Sequence, residues 1–391
     1  MSKPVLTRTV VILGLVSFFN DLASDMIVPL IPLLLASVLG AGAMALGIID
    51  GVAEAVSSFL KLWSGRASDR NSRRPKQFAV TGYFLSNLVR PLLGLAGSWP
   101  MVMVLRSLDR VGKGLRSAPR DALLSAAAPE ASQGYSFGFH RAMDNIGAVG
   151  GSLVAAFVFA FYHYDIKDVF YLSAIPGSIA VILLVTGIRK AAVPKVRVSS
   201  TQVLLWQELP QAFRYYLGSI GLFVFARASE MFLILRGYEL GMGPVSLMLM
   251  WSMLNLCKSL TNISGGKLSD RMGRKKLLLL SWASFALSFL LFSLTRHSIG
   301  LWLITLFYGL STGVGEGAER AIIADYTLKE NLGGAYGWYY LVVGLTSVPA
   351  GLVFGGVWQE WGAPFAFALA AIFAFGACIW LKLKVEEVSF S

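Results

Sequence analysis

Apolar runs of about 20 residues alternate with short polar connections along the whole chain. That length is what a helix needs to cross the hydrocarbon core of a bilayer. Strands of an outer-membrane barrel would show alternating polarity over about ten residues instead, and we find no such segments. The pattern predicts an all-α polytopic membrane protein with twelve spans. The predicted spans are residues 9–38, 43–64, 77–98, 99–126, 134–162, 168–188, 212–238, 244–266, 276–295, 299–326, 334–358 and 363–383.

Composition agrees with this interpretation, because 55% of the residues are hydrophobic and only 14% are charged. Soluble domains carry about 25% charged residues. The net charge of +12 could indicate a nucleic-acid partner, but the lysines and arginines lie in short connections between spans. There they act as orientation signals. We find no basic module interleaved with aromatic residues, so we expect no nucleic-acid binding.

The positive charge is concentrated in the even-numbered connections and at both termini. Positively charged connections stay in the cytoplasm, so both termini are predicted to be cytoplasmic. An even number of spans follows. The expected location is the bacterial inner membrane.

The chain is predicted to consist of two halves. The longest polar interruption, residues 189–211, would link an N-terminal six-helix half, 1–188, to a C-terminal six-helix half, 212–391. Residues 65–76 resemble 266–277, and 120–130 resemble 320–330, at offsets of 201 and 200 positions. Parallel repeats of this kind build one large class of secondary transporters, whose solute site lies near mid-bilayer where the repeats meet.

The connection after the second span of each half carries the pattern G-x-x-S-D-R-x-G-R-[KR]. It is complete at residues 266–275, and at 65–74 Ser72 replaces the second glycine. The pattern resembles the signature loop of the major facilitator superfamily, and with the twelve spans the resemblance covers the whole chain. It implies a fold of 12 transmembrane helices in two pseudo-symmetric halves. It also implies a cytoplasmic gate, formed by Gly65, Asp69, Arg70, Gly266, Asp270, Arg271 and Arg274.

Charge that only sets the topology is the alternative for these loops, but it would not explain their aspartates.

Two weaker motifs occur in the fourth and fifth spans. Arg110 and Gly114 resemble R-x-x-Q-G, with Lys113 in place of glutamine; in proton-coupled members that arginine is implicated in proton transfer. Residues 146–151 partly resemble the antiporter pattern G-P-x-x-G-G, with Ile146 and Gly147 in place of its first two residues. The chain resembles the bacterial solute and drug efflux branches.

Charged residues also recur inside spans at helical spacing. The fourth span carries Arg106, Asp109, Arg110, Lys113 and Arg116, and the fifth carries His140, Arg141, Asp144 and Asn145. A charge at mid-bilayer costs about 2.5–3.5 kcal/mol, so these groups must face protein or a wet cavity. We expect Arg110 or Lys113 to pair with Asp144, which would leave Arg141 and Asn145 for a solute.

Acidic pairs one helical turn apart stand in the first two spans. Asp21 and Asp25 repel each other, so one of them can carry a proton; alternatively both pair with basic residues of the fourth or fifth span. Asp50 and Glu54 form either a second proton site or an ion pair with Arg90 or Arg106. Pro29 and Pro32 are expected to loosen the first span.

In the second half, Arg227, Glu230 and Glu316 are the intramembrane candidates. The aromatic group at Tyr336, Trp338, Tyr339 and Tyr340 either lines a cavity or forms an interfacial belt. The full set of candidates for solute binding or coupling is Asp21, Asp25, Arg110, Lys113, Arg141, Asp144, Asn145, Arg227, Glu230 and Glu316.

Catalysis and metal binding are not expected. The three histidines form no cluster, and Cys257 and Cys378 lie in apolar runs. We find no nucleophile paired with a base and no GxxxxGK[ST] phosphate loop. No cofactor is expected apart from a proton as coupling ion.

The predicted function is a secondary active transporter for a small organic solute, anionic or zwitterionic, working by alternating access. Proton coupling, export and a monomeric state are favoured. One alternative is import, by symport, of a polycarboxylate or a metal chelate. An alternative of another class is a transporter-like sensor or scaffold, although the sequence contains no sizeable soluble domain.

Overall fold

The computed structural model describes residues 6–69, 74–128, 133–162, 165–188, 205–227, 229–327 and 332–385. Side chains are described throughout these ranges except at 65–69, 74, 133–134, 263–267 and 269–270. The regular secondary structure of the described residues is helical, as predicted.

Among the described residues of the first part of the chain, seven α-helices have at least seven residues. They are α1 (Arg8–Ile27), α2 (Ala43–Asp69), α3 (Arg74–Leu92), α4 (Trp99–Ala127), α5 (Gln133–Tyr162), α6 (Ile166–Leu172) and α7 (Ala174–Gly187). Seven more follow: α8 (Gln211–Ala226), α9 (Met231–Glu239), α10 (Pro244–Met272), α11 (Arg274–Leu294), α12 (Ser298–Asp325), α13 (Leu332–Trp361) and α14 (Ala363–Lys384).

Ten helical segments within the described residues are long and apolar enough to cross a membrane, and their bounds match the predicted spans to within a few residues. Two of these segments are pairs of helices in line, α6 with α7 and α8 with α9. The remaining long helices, α4 and α10, have 29 residues each but are more polar, because they carry charged and amide side chains along their length. The prediction of an all-α polytopic membrane protein is confirmed.

Within the described residues, several spans depart from a regular α-helix, and three of them are interrupted along their length. After α1 the chain continues through a short helix, Leu30–Leu33, and a π-helical turn, Leu34–Val38, as expected from prolines that cannot donate a backbone hydrogen bond. Pro176 similarly lacks the N–H that would bond to Leu172, where α6 ends. The break between α8 and α9 was not predicted, and its sequence contains no proline.

The chain divides into two compact units. The first contains residues 1–40, 56–198 and 243–252, and the second contains 41–55, 199–242 and 253–391. The first part of α2 therefore belongs to the second unit, and the first part of α10 belongs to the first. In the first unit α1 packs on α5 and α7, and α3 on α4; in the second, α8 packs on α13 and α14, and α11 on α12. The packing order thus repeats within the two units.

The two units fill their cores with different side chains. In the first unit, small aliphatic residues such as Val10, Leu13 and Ala79 form a fully buried cluster. In the second, rings stack: the centroids of Phe223 and Trp282 are 4.2 Å apart. The repeated architecture therefore does not require a repeated core composition.

The crossing of α3 and α4 depends on a close backbone approach at Gly112. A Cβ atom there would lie 2.4 Å from Ser86 Oγ and 2.5 Å from the Gly82 carbonyl oxygen. Small residues allow this kind of contact between membrane helices.

Replacing Gly112 with alanine should therefore destabilise the protein. Overpacking of this kind costs about 1–3 kcal/mol, which should lower the unfolding temperature in detergent. At Gly376 in α14, the position that a Cβ atom would occupy has no described atom within 4 Å. Gly376→Ala should therefore leave the unfolding temperature unchanged or slightly raised. Equal unfolding temperatures for the two variants would contradict the close crossing.

Candidate functional site

A carboxylate between two arginines lies in the buried interior of the first unit. Arg90 Nε is 3.1 Å from Asp109 Oδ1, and Arg106 Nη1 is 3.1 Å from Asp109 Oδ2. All three side chains are at most 4% exposed. The expected alternative of an ion pair between Arg90 and the acids of the second span is therefore wrong, because Asp109 faces Arg90 across the α3–α4 contact.

Arg90 also connects α3 to α1. Its Nη1 donates to the backbone oxygen of Asn20 at 3.0 Å, to Asn20 Oδ1 at 3.1 Å and to Asn87 Oδ1 at 2.9 Å. These bonds keep the guanidinium away from lipid and from any solute. We conclude that this group holds the unit together.

Asp144 on α5 has partners other than the expected ones. It accepts a hydrogen bond from Ser17 on α1, and its Oδ2 lies 3.6 Å from His140 Nδ1 and 3.9 Å from Arg120 Nη1. The predicted pairing of Asp144 with Arg110 or Lys113 is therefore wrong. His140 precedes Asp144 by one turn of the same helix, and Arg120 lies two turns beyond Lys113.

Both acids of α1 accept hydrogen bonds from neutral polar side chains. Trp251 Nε1, in the part of α10 that belongs to the first unit, donates to Asp25 Oδ1 at 2.9 Å. Asp21 Oδ1 accepts from Asn20 Nδ2 at 2.8 Å. Trp251 is only 6% exposed, and no sequence pattern indicated that it would lie beside Asp25.

The basic residues of the first unit differ in accessibility. Arg106 and Arg116 are buried, and Arg116 donates to Ser86 Oγ at 2.6 Å. Lys113 and Arg141 are exposed, whereas Arg110 and Asn145 are partly exposed. The stripe predicted from the sequence is thus divided into a buried part and an accessible part.

In the second unit, Arg227 binds Glu319. Arg227 Nη1 lies 3.2 Å from both carboxylate oxygens, and the Tyr339 hydroxyl donates to Glu319 Oε1 at 2.6 Å. Sequence reasoning selected Glu316 and missed Glu319. Glu316 instead lies 3.7 Å from Arg320, whose side chain is 57% exposed. Tyr339 belongs to the buried polar group and not to an interfacial belt.

Glu230 forms a second group of the same kind. It pairs with Lys258 of α10, and the Tyr308 hydroxyl donates to Glu230 Oε1 at 2.8 Å. The side chains of Lys258 and Glu230 are 22% and 27% exposed. Two carboxylates of this unit are therefore each held by one cation and one tyrosine.

A cavity of about 60 Å³ lies within the second unit, between the first part of α2, the α8–α9 break and α13. Its polar lining consists of Asp50, Glu54, Arg227, Ser229 and Ser347, and its other lining residues are Gly47, Gly51, Val224, Phe232, Ala350 and Gly351.

The predicted gating residues are only partly described. Arg70 lies outside the described residues. Only the backbone is described at four further positions, Gly65, Asp69, Gly266 and Asp270. Arg271 is exposed. Arg274 Nη1 donates to the Ala321 backbone oxygen at 2.9 Å and pairs with Asp325, which joins the start of α11 to the end of α12.

Within the part of the chain that the structure describes, no three histidine, cysteine or acidic side chains are grouped so that they could hold a metal ion. The polar groups described above are ion pairs, tyrosine–carboxylate contacts and amide contacts. This chemistry suits charge compensation and recognition of an ionised organic group.

Known proteins resemble this chain in sequence and fold. The Major Facilitator Superfamily profile matches residues 13–235 and 217–389. An uncharacterized MFS-type transporter of Methanocaldococcus jannaschii is 32% identical over 363 residues, which cover 90% of this chain and 89% of that protein.

Two solved structures share the fold at 12% sequence identity. A mutant of the nucleoside transporter NupG superposes with a TM-score of 0.79, covering 97% of this chain and 100% of that one. A POT family transporter in complex with 5-aminolevulinic acid superposes with a TM-score of 0.80, covering 95% of each chain. Together with the profile match over both repeats, this means that the chain belongs to the Major Facilitator Superfamily and is a multi-pass membrane transporter.

Proposed function

We propose that the protein is a secondary active transporter that moves a small anionic or zwitterionic organic solute by alternating access, coupled to protons. The observation that carries this proposal is the division of the intramembrane charges in the first unit. Arg90, Arg106 and Asp109 compensate one another in the buried interior, whereas Lys113 and Arg141 stay exposed.

Accessible cations inside spans favour a solute that carries a carboxylate or a phosphate. A charge facing lipid costs about 2.5–3.5 kcal/mol on insertion scales, so Lys113 and Arg141 are expected to face water or solute. Arg110 and Asn145 would complete the contact with the solute.

Proton coupling is assigned to the carboxylates of α1 and α5. The partners of Asp25 and Asp144 include a tryptophan, a serine and a histidine, and Arg120 Nη1 lies 3.9 Å from Asp144 Oδ2. A carboxylate that accepts hydrogen bonds from tryptophan or serine can change its protonation state at lower cost than one fixed between two arginines. Asp109 is therefore excluded from the proposed proton path.

The moving parts in this proposal are residues 1–188 and 212–391, joined by 189–211. We place the protein in the bacterial inner membrane as a monomer, with both termini in the cytoplasm. Export is the direction we favour, on the resemblance to efflux branches.

Asp25→Asn and Asp144→Asn should each abolish gradient-driven transport in a folded protein. Asparagine keeps the size and accepts similar hydrogen bonds but cannot take up a proton. The solute is first selected by thermal-shift screening across pH. Its movement and the accompanying proton flux are then measured in proteoliposomes with a pH-sensitive dye, where both variants should fall to the level of empty liposomes.

Glu360→Gln, which changes an exposed carboxylate at the end of α13, serves as the matched control and should transport like the wild type. Wild-type accumulation in both aspartate variants would remove these carboxylates from the mechanism. Failure of every screened solute to move would count against the transporter itself.

Asp109→Asn should instead prevent stable folding. Removing one partner of a buried ion pair costs about 3–5 kcal/mol, and here two arginines would lose their shared carboxylate. Asp121→Asn, on the same helix, is the control, because the Asp121 side chain is 50% exposed and such surface pairs contribute about 0–1 kcal/mol. Unfolding temperatures in detergent compare the variants; a stable Asp109→Asn protein would contradict the structural role.

A further inference from the structure

The cavity in the second unit is large enough for one end of a solute. Its volume of about 60 Å³ would hold roughly four to six water molecules at about 10–15 Å³ each. A whole drug-sized ligand needs about 300–1,000 Å³. The cavity can therefore recognise a functional group rather than an entire molecule.

Close packing of α2 and α13 creates this space. A Cβ atom at Gly47 would lie 2.1 Å from the Gly351 carbonyl oxygen, and one at Gly51 would lie 2.7 Å from the Ser347 carbonyl oxygen. The glycines bring the two backbones together, and Asp50 and Ser347 consequently face the same cavity. On the third side of the cavity, α8 ends at Ala226 and leaves space beside Arg227 and Ser229.

Hydrogen-bond acceptors dominate the polar lining. The Asp50 carboxylate makes no hydrogen bond or ion pair with any residue that the structure describes. Ser347 is only 8% exposed and donates its hydroxyl hydrogen to the Val343 backbone oxygen at 2.6 Å, so its oxygen lone pairs remain available. Glu54 adds a second carboxylate to the lining.

The cation in the lining is already compensated. Arg227 Nη1 lies 3.2 Å from both oxygens of Glu319, and Glu319 is not part of the cavity wall. Because Glu319 already balances the Arg227 guanidinium, the Asp50 carboxylate gives the cavity an excess of negative charge. A bound anion would be repelled, whereas a cation would be stabilised.

A protonated primary amine matches this lining, because it has three donors and no acceptor. We propose that the cavity binds the ammonium end of a solute, with Asp50 as its counter-charge and Ser347 as a neutral acceptor. This rests on the proposed function in one respect, that the protein carries an organic solute, and it narrows that solute to one with a protonated amine. A metal ion fits less well, because within the described residues no three histidine, cysteine or acidic side chains are grouped to hold one.

The probe is propylammonium chloride, titrated into the purified full-length protein in detergent at constant ionic strength. Propanol, sodium propionate, sodium chloride and choline chloride serve as matched additives. We expect propylammonium alone to raise the wild-type unfolding temperature with a saturable concentration dependence, because only it carries an ammonium group small enough for the cavity.

Variants test whether the rise in unfolding temperature comes from binding at this cavity. Asp50→Asn should abolish the propylammonium shift, Asp50→Glu should retain part of it, and Ser347→Ala should raise the half-saturating concentration several-fold. Glu360→Gln should behave as the wild type. If Asp50→Asn does not fold, the Ser347→Ala titration decides, since an unchanged half-saturating concentration there would overturn the proposal.

Three results would refute the ammonium site: no shift in the wild type, a shift of equal size in Asp50→Asn, or an equal shift with sodium chloride. The last would indicate an inorganic cation instead. Binding is measured without transport, so the two proposals fail separately. A transported solute without an amine would refute only the ammonium site, and amine binding without any solute movement would refute only the transporter mechanism.

Discussion

The low tolerance of the hydrocarbon core for charge is the constraint on which this structure depends. A stripe of ionised side chains within spans can persist only where each charge meets an opposite charge, a polar partner or water. The first unit meets that requirement with two arginines on one carboxylate, Asp109. The second unit meets it with carboxylates that each contact one cation and one tyrosine, as at Glu319 and Glu230. The same repeated helix order therefore accommodates two different ways of compensating charge inside the spans.

The two kinds of carboxylate environment suit different roles. A carboxylate fixed between guanidinium groups stays ionised and rigid, and suits a structural role. Asp25 and Asp144 have partners that include tryptophan, serine and histidine, and neither is enclosed by the arginine pair that holds Asp109. In membrane helices such residues mark solute and ion pathways. The proposed transport mechanism uses only this second kind of carboxylate.

Much of the fold could be predicted from the sequence, because span length and hydropathy depend on local composition. The bounds of the spans, the irregular end of the first span near Pro29 and the resemblance to the superfamily all follow from runs and motifs. Partners of individual side chains could not be predicted in the same way. Asp144 binds Ser17 and His140, and Trp251 reaches Asp25, because helix rotation and depth decide which side chains meet. The break before Met231, which has no proline to signal it, also required the structure.

In the proposed mechanism, solute and proton movements are linked through the ionised groups inside the spans. The most direct test imposes a solute gradient on proteoliposomes that have no initial pH gradient and records the internal pH. We expect a pH change that depends on the solute and disappears when the solute gradient is dissipated beforehand. Solute movement at wild-type rate with a constant internal pH would contradict it.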